Sequence, residues 1–381
     1  MLFFQKNQST SPFNAQPTHI NKIPPHSKRV LVAPLDWGLG HATRCIPIIH
    51  ALLQAGCTVT LAGEKKQAEL LMREFPELDM IFLKGYRIKY PSKGIFFMPL
   101  MWMQLPKILR AVHYEKAWLE MQQSVMHGKW DLVISDNRYG LHHPDLNTVI
   151  ITHQLGIISG MGKYIDKLMV KYTHRWLNAF QQVWVPDLPG EDNLAGVLSR
   201  PQVMPDKVKY IGPLSRMKPE KQDPEHVLVM LSGPEPQRSI LERKLNAQLE
   251  KLDYPCLFVR GLPRNKNTIH PRKNIRFVNH LPSAELAKAI AAAKFVICRS
   301  GYSSIMDLIR MNKKALLIPT PGQTEQIHLA DHLVSKGWFA VTKQKDIDLS
   351  RANQLVEAAA TPLPDLDVDG FRKALAGLGI Q

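Results

Sequence analysis

Cysteine is scarce in this chain and never occurs in pairs. The 381 residues include four cysteines, each in a separate apolar stretch: Cys45, Cys57, Cys256 and Cys298. Disulfide scaffolds and structural zinc sites need cysteines at short, repeated spacings, and the sequence has no Cys-x-x-Cys pair. We therefore predict neither cross-links nor a zinc site, which fits a reducing cytoplasm.

The chain also lacks long apolar runs. Its first residues, Met1 to Gln5, have no basic start and no apolar stretch long enough for a signal peptide. No window approaches the roughly 20 apolar residues that a membrane-spanning helix needs. We therefore expect a cytoplasmic protein, and 381 residues suffice for two domains with buried cores.

Acidic residues are outnumbered by basic ones. There are 33 Asp and Glu against 49 Lys and Arg, which gives a formal net charge of +16 at pH 7. Such an excess favours anionic partners. The sequence has no zinc finger, RNP-type motif or basic low-complexity tail, so nucleic acid is not expected as a partner. Phosphate groups and an acidic membrane surface remain as the expected anionic partners.

One segment, from Met80 to Tyr114, has no acidic residue at all. Its centre is apolar, Ile95 to Met103, and includes Phe96, Phe97 and Trp102. Basic residues surround this centre: Lys84, Arg87, Lys89, Lys93, Lys107 and Arg110. Basic groups around an apolar segment that contains Trp suit anionic lipid headgroups and the acyl boundary. A buried helix with basic flanks is an equally good interpretation.

Short apolar, β-branched stretches alternate with helical patterns along most of the chain. Arg29 to Pro34 predicts a first buried strand, Lys65 to Glu74 a helix, and Val227 to Leu231 the first strand of a second series. Such alternation predicts an α/β fold in which parallel sheets carry helices on both faces. The two series predict two Rossmann-like domains that face each other.

The predicted boundaries follow the composition. Residues 1–28 are polar and rich in Asn, Gln, Ser, Thr and Pro, and we expect a disordered leader there. Residues 29–216 form the predicted N-terminal domain, and 217–364 the C-terminal domain, after a linker rich in Pro and charge. Residues 365–381 predict a last helix, which in folds with two facing Rossmann-like domains often crosses back to the first domain.

The turn after the first strand contains the most informative motif, Asp36-Trp-Gly-Leu-Gly-His-Ala-Thr-Arg44. Gly38 and Gly40 allow a tight turn and close approach of a ligand, and the helix that follows offers free N–H groups to an anion. His41 is the side chain of this turn that can move a proton near pH 7. We therefore predict His41 as a catalytic base.

Two later strand ends should lie at the same edge of the sheet as His41, because the carboxyl ends of parallel strands meet at one edge. Ligands of open α/β sheets bind along that edge. Asp136 follows one predicted strand and is our candidate to orient the imidazole of His41, although it could instead cap its own loop. Arg138, close behind it, and His153, after the next strand, are candidates for contact with a substrate.

A second motif, Cys298-Arg-Ser-Gly-Tyr-Ser-Ser304, follows a buried strand of the second series and opens a helix. Glycine and hydroxyl groups at a helix N-terminus suit a diphosphate, although a plain helix cap would look similar.

Together the two motifs resemble a known family. Gly38-Leu-Gly-His-Ala-Thr-Arg44 is typical of GT-B glycosyltransferases around glycosyltransferase family 28, which includes the lipid-linked N-acetylglucosaminyl transferase of peptidoglycan synthesis and the plastid galactolipid synthases. It is also similar to nucleotide-sugar hydrolases of nonulosonate synthesis. The second motif, with Asp307 and the later run Leu317-Ile-Pro-Thr-Pro-Gly-Gln-Thr-Glu-Gln326, resembles the donor-nucleotide signature of that family. The resemblance covers about residues 29–345.

The resemblance implies roles for further residues. Asp307 would hold the ribose hydroxyls, Glu325 and Gln326 the donor sugar, and Arg216 the diphosphate. Ser232-Gly233 stands where the family has a Gly-Gly phosphate loop, and the prolines after it are nearer the hydrolases. The complete predicted donor site is Gly40, Arg216, Ser232, Gly233, Arg299, Ser300, Gly301, Ser303, Asp307, Glu325 and Gln326.

We therefore predict a metal-independent GT-B glycosyltransferase without a cofactor. It would move a sugar from a nucleotide-sugar donor, most simply a UDP-sugar, to an acceptor hydroxyl on a glycan or a lipid. Its expected location is the cytoplasm, with peripheral contact to the inner face of the membrane as one option. A nucleotide-sugar hydrolase or epimerase, in which His41 activates water, and a non-catalytic sugar-nucleotide binder are the alternatives.

Overall fold

The computed structural model describes residues 27–37, 39–88, 97–125, 130–263, 265, 270–366 and 369–380. Most of the predicted leader, residues 1–26, lies outside the described residues, as do Gly38 and Phe96. Phe97 and Trp102 fall in a described helix, but their side chains are outside the description.

The first part of the chain builds a sheet of seven parallel strands in the order β3-β2-β1-β4-β5-β6-β7. Its elements, in chain order, are β1 (Arg29–Pro34), α1 (Leu39–Gln54), β2 (Thr58–Gly63), α2 (Lys65–Glu74), β3 (Asp79–Phe82), α3 (Phe97–Val125), β4 (Leu132–Asp136), β5 (Asn147–Ile151), α4 (Lys163–Leu177), β6 (Gln182–Val185) and β7 (Val208–Tyr210).

The second part builds a sheet of six parallel strands in the order β10-β9-β8-β11-β12-β13. Its elements are β8 (His226–Met230), α5 (Gln237–Asn246), β9 (Cys256–Val259), β10 (Ile275–Val278), α6 (Ser283–Ala291), β11 (Ala293–Cys298), α7 (Tyr302–Arg310), β12 (Ala315–Leu317), α8 (Thr324–Ser335), β13 (Ala340–Val341), α9 (Ala352–Ala358) and α10 (Asp369–Ala376). The predicted α/β architecture with two parallel sheets is confirmed.

The central strands are buried on both faces, which explains their continuous apolar runs. In β1 every residue after Arg29 is buried, and β4 is buried along its whole length. Helix α1 begins at Leu39, so Leu39 and Gly40 of the glycine motif already belong to its first turn. It ends before Gly56, whose φ of +73° suits a glycine at a helix C-terminus.

The two sheets share one core. Helices α1 and α7 contact each other, and Ile46 of α1 and Ile305 of α7 belong to the same buried apolar cluster. Helix α10 packs against β7 of the first sheet, where Phe371 meets Trp184 edge to face at 6.0 Å between ring centroids. Within the described ranges, no helix combines the length and apolar character needed to cross a membrane.

Candidate functional site

The site begins where the winding of the first sheet reverses. Strands β1 and β4 are neighbours, with Pro34 paired to Asp136, but the chain runs outward from them in opposite directions. Ligands of open α/β sheets bind at such a point, outside the carboxyl ends of the strands. Helix α1 starts at this edge and brings His41 directly over the end of β4.

His41 and Asp136 meet there. The Nδ1 of His41 lies 2.9 Å from Oδ1 of Asp136, and within the described residues its Nε2 has no hydrogen-bond partner. Arg44, one helical turn after His41, donates to both oxygens of Asp136 and also brings Nη2 to 2.8 Å from the Nδ1 of His41. A proton on Nδ1 that is donated to Asp136 leaves Nε2 free to accept one.

The surroundings set the charge of each group. The charges of Arg44 and His41 outweigh burial at Asp136 and lower the pKa of its carboxyl to about 2, so it stays ionised. Burial lowers the pKa of His41 below its ordinary value, Asp136 opposes that change, and Arg44 adds to it. The imidazole is therefore neutral near pH 7, as a general base must be.

The second sheet contributes the N-terminus of helix α7. It follows β11, which lies beside β8 at the reversal point of that sheet. Gly301 caps the helix in an extended conformation with φ of −77°, and the Oγ of Ser303 donates to the backbone oxygen of Gly40 at 3.2 Å. The N-terminus of α7 and the start of α1 thus face each other, with their unsatisfied N–H groups near the same space.

A second contact between the domains joins Glu325, at the start of α8, to the end of β5. Its carboxylate accepts from Nε2 of His153 at 3.1 Å and from Nε2 of Gln154 at 2.8 Å. The ring of His153 stacks on Tyr302 with 3.9 Å between centroids and 11° between planes. The hydroxyl of Tyr302 in turn donates to the carbonyl of Pro186 at 2.8 Å.

These groups enclose a cavity of about 350 Å³ between the two domains. Part of its lining consists of polar residues and glycines: Gly40, His41, Arg44, Asn137, His153, Gln154, Gly301, Ser303, Gln323, Thr324, Glu325 and Gln326. The lining also includes apolar residues that all belong to the first part of the chain and that we call the apolar wall: Leu105, Ile108, Ile157, Ile158, Met169 and Leu198. A lining with both polar, phosphate-compatible groups and apolar groups suits two different substrates.

The structure brings only part of the predicted set to this cavity. Gly40, His41, His153, Gly301, Ser303, Glu325 and Gln326 line it, and Asp136 lies directly behind His41. Ser300 is buried beneath it, and its Oγ donates to the carbonyl of Gln326 at 2.8 Å. Ser232 and Gly233 form the turn after β8, at the same sheet edge but outside the cavity lining.

Two arginines that the sequence predicts as substrate contacts point away from the cavity. Arg299 is buried and donates to the carbonyls of Ile318, Pro319 and Gln237 and to Oε1 of Gln344. Its guanidinium therefore ties the loops of the second domain together and does not reach the cavity. The predicted contact of Arg299 with the donor stays a prediction, and the acceptors that hold its guanidinium come from distant parts of the sequence.

Arg138 is likewise buried and turned towards helix α3. It pairs with Glu115 at 2.8 Å and donates to the carbonyls of Pro34 and Lys84. Tyr86 and the backbone of Gly140 donate to the other oxygen of Glu115. Arg138 is thus part of a buried polar network that fixes α3 to the sheet, and the structure does not place it against an acceptor.

Arg216 and Asp307 lie together, one turn further along α7 than the cavity. Oδ1 of Asp307 accepts from Ser215 at 2.6 Å, and Arg216 donates to Ser283 at 3.1 Å while its Nε has no partner among the described residues. Burial raises the pKa of Asp307 to about 6, against the opposing effects of Ser215 and Arg216. Asp307 follows Ser303 by four residues and therefore shares its face of the helix.

Sequence reasoning missed three residues that shape the site: Arg44, Gln154 and Tyr302. Arg44 is part of the first motif, but no function was predicted for it, although a spacing of three residues on a helix places it beside His41. Tyr302 stood in the second motif among hydroxyl residues. Gln154 follows His153 directly at the end of the same predicted strand, and its contact with Glu325 gives it a role.

Comparison with known proteins agrees with this geometry. Residues 264–365 match the model of the glycosyltransferase family 28 C-terminal domain. A UDP-N-acetylglucosamine--N-acetylmuramyl-(pentapeptide) pyrophosphoryl-undecaprenol N-acetylglucosamine transferase from Vibrio campbellii is 23% identical over 349 residues, which cover 87% of this chain and 89% of the relative. The protein of the same name from Photobacterium profundum is 26% identical over 335 residues, 84% of this chain and 86% of the relative.

The fold has close counterparts among solved structures. The glycosyltransferase SnogD from Streptomyces nogalater superposes with a TM-score of 0.58 at 17% identity, over 93% of this chain and 100% of that chain. At this identity the likeness concerns the fold. The resemblance inferred from the two glycine turns is confirmed.

Proposed function

We propose that this chain, a GT-B glycosyltransferase related to glycosyltransferase family 28, transfers a sugar from a UDP-sugar to an acceptor hydroxyl in the cavity between its domains. One observation carries the proposal: a base-like imidazole with its orienting carboxylate lies in the same cavity as the N-terminus of α7. A base and an anion-binding helix end are the two elements that transfer from a diphosphate donor requires.

The proposed reaction uses these elements as follows. The acceptor oxygen attacks the anomeric carbon of the donor, the bond from that carbon to the diphosphate oxygen breaks, and UDP leaves. Nε2 of His41 takes the acceptor proton, while Asp136 holds the Nδ1–H and stabilises the imidazolium. The N–H groups at Gly301 to Ser303 stabilise the charge on the departing diphosphate.

We assign donor contacts along the face of α7 and the start of α8. Glu325 and Gln326, which line the cavity, would hold the sugar. Asp307 lies beyond Ser303 on α7, with Arg216 beside it from the segment before β8, and the two would hold the ribose and the diphosphate, as the resemblance implies. This order, sugar nearest to His41 and nucleoside furthest from it, follows the direction of the helix from Ser303 to Asp307.

The same proposal gives the chain an acceptor domain at 29–216, a donor domain at 217–364 and a returning C-terminal segment at 365–381. The contact of Phe371 with Trp184 supports the last assignment, because it joins α10 to the first sheet. A short linker between the domains would allow the cleft to open for substrates.

The apolar wall supports an acceptor with an apolar part. The relatives from Vibrio and Photobacterium are named for an acceptor on pyrophosphoryl-undecaprenol. We extend this to a lipid-linked acceptor for the present chain, and to a peripheral position on the inner face of the cytoplasmic membrane. A hydrolase would need no apolar wall of this kind, so the wall favours transfer over hydrolysis.

Thermal stabilisation by a panel of nucleotides and nucleotide sugars tests the donor assignment. A UDP-sugar at about a hundredfold excess over its Kd should stabilise the protein by roughly 2.7 kcal/mol. Incubation of the preferred donor with and without acceptor lipids, followed by detection of UDP and of the free sugar, separates the reactions. UDP release that needs an acceptor supports transfer, release with free sugar supports the hydrolase, and an unresponsive protein removes the donor assignment.

A further inference from the structure

Helix α4 presents an outer face that the catalytic site does not use. We infer that this face docks on an anionic lipid surface and brings the apolar side of the cavity up to that surface. The inference rests on the proposed function for its purpose, but the docking itself does not require catalysis. It also concerns a different element from the basic segment at 80–114.

The first observation is a row of exposed apolar and aromatic side chains. Tyr164, Leu168 and Tyr172 are spaced four residues apart and so lie on one side of the helix. They are 82%, 44% and 60% exposed. Isolated exposed apolar residues are ordinary, whereas an aligned row on a single helix marks a surface that another body covers.

The second observation is a parallel row of positive charge. Lys163, Lys167, Lys171 and Arg175 are also spaced four residues apart, and all four are exposed. Each of the three lysines stands one position before a member of the apolar row, and Arg175 continues the basic row by one more turn. None of them forms an ion pair within the described part of the chain. The two rows together make an amphipathic strip of the type that lies at a membrane interface.

Acidic residues do not neutralise this strip from within the helix. The carboxylate in α4, Asp166, is turned back to the preceding loop. Its Oδ1 accepts from the backbone N–H of Ser159 at 2.8 Å and also from the Ser159 hydroxyl. The outer face of α4 is therefore cationic, which matches a surface of anionic lipid headgroups.

The inner side of the same helix is firmly held. His174 is buried and shares a hydrogen bond with the carbonyl of Leu155 at 2.8 Å, Leu177 is fully buried, and Trp176 packs on Tyr139 at 5.6 Å. The outer rows thus belong to a fixed surface of the first domain and keep their spacing.

This surface lies beside the cavity. Met169 of α4 lines the apolar wall together with Leu105 and Ile108 of α3. Leu105 is 37% exposed although it lines the cavity, so the apolar wall reaches the outside of the protein there. An acceptor with a lipid tail could keep the tail in the membrane while its hydroxyl enters the cleft.

A lipid surface fits these rows better than other occupants. Two copies of the chain that met face to face would bring lysines against lysines, which disfavours a symmetric dimer through this face. Long lysine side chains that flank tyrosines can extend to headgroups while the rings enter the interface. An acidic protein or a nucleic acid would also satisfy the charges, but neither explains the apolar row that joins the cavity wall.

Sedimentation of the full chain with lipid vesicles tests the inference. The probes are vesicles of phosphatidylcholine alone and of phosphatidylcholine with phosphatidylglycerol. The wild type should bind the second and not the first, and added salt should weaken binding. Two triple variants address the two rows: K163Q/K167Q/K171Q, and Y164S/L168S/Y172S. Each should lower the partition coefficient at least tenfold.

Matched controls change the same number of similar residues elsewhere. K218Q/K221Q/K244Q removes three exposed lysines of the other domain with the same change in net charge, and F82S/V203S/V334S removes three exposed apolar side chains. Both controls should stay within about twofold of the wild type. Circular dichroism checks that every variant is folded.

The results that would overturn docking by α4 differ from those that would overturn the donor assignment. Wild-type protein that ignores anionic vesicles, or triple variants that bind like the wild type, would overturn docking by α4. Equal loss in the lysine variant and its control would also overturn it, since the effect would be one of net charge. Docking that depends on α4 in a protein that responds to no nucleotide would leave this inference standing and remove the donor assignment instead.

Discussion

The Nδ1 of His41 lies 2.9 Å from Oδ1 of Asp136, a residue 95 positions further along the chain. Helix α1 delivers the first and the end of strand β4 the second. Because Arg44 binds the same carboxylate, Asp136 has a positive partner beside the imidazole, and the pKa of its carboxyl stays at about 2. This relationship defines the chemistry that the cavity offers, and the first two predictions test it.

Substitution of the proposed base should abolish most turnover and spare donor binding. We expect His41→Gln to lower kcat by a factor of about 10² to 10⁴, the usual contribution of a general base. Asp136→Asn should also lower kcat, because the amide can donate to Nδ1 and favour the wrong tautomer. Thermal stabilisation by a UDP-sugar serves as the control and should persist in both variants. Full turnover in His41→Gln would remove His41 from the chemistry.

The pH profile of kcat/KM should show the opposite effects of Asp136 and Arg44 on the pKa of His41. Burial and the charge of Arg44 lower the pKa of His41, so kcat/KM of the wild type should fall only below about pH 6.5, as the base becomes protonated. Arg44→Met removes a positive neighbour, raises the pKa of His41 and moves this acidic limb to higher pH. Arg44→Lys keeps the charge and should leave the limb in place. An unchanged limb in Arg44→Met would contradict the electrostatic role of Arg44.

Two glycines should respond differently to a methyl group. A Cβ on Gly140 would lie 2.1 Å from the carbonyl oxygen of Val112 in α3, so Gly140→Ala should destabilise the fold by about 1–3 kcal/mol. A Cβ on Gly301 meets no atom within 4 Å. Gly301→Ala should therefore unfold like the wild type in urea but bind the UDP-sugar more weakly, since the methyl enters the proposed diphosphate space. Equal stability of the two variants would contradict this packing.

The contact between His153 and Glu325 should couple the two domains. A double-mutant cycle with His153→Ala and Glu325→Ala, followed by urea unfolding, should give a coupling free energy of about 1 kcal/mol. Glu325→Gln keeps hydrogen-bond capacity without the charge and should retain part of that coupling. Additive effects of the two alanine changes would show that the domains close without this contact.

The carboxyl group of Asp307 should make stability and UDP binding depend on pH. Burial raises its pKa from 3.8 to about 6, so the folded state binds this proton more tightly than the unfolded chain. The associated stability is present below about pH 4 and is lost as the pH rises to 6, and Asp307→Asn should lack this loss. UDP affinity of the wild type should rise between pH 5 and 7 as the carboxylate forms. The same rise in Asp307→Asn would exclude the contact with ribose.

Local patterns fixed much of the fold in advance. The first strand, Arg29 to Pro34, and the helix from Lys65 to Glu74 have the predicted bounds, because each depends on residues that are neighbours in the chain. Both glycine turns lie at strand ends where the order of a sheet reverses. Burial of a parallel strand and the start of a helix are properties of short segments, so the sequence alone is enough to predict them.

The tertiary structure decided which side chains meet. Arg138 and Arg299 each follow a strand end and carry a charge that suits an anion, but each is turned inward by a buried partner, Glu115 and Gln344. His153 and Glu325 are 172 residues apart and touch only because two separate sheets close on each other. A sequence determines the periodicity of its elements. The direction of a buried charged side chain depends on which distant group can form the hydrogen bonds or ion pairs that offset its loss of hydration, and only the packed structure determines that group.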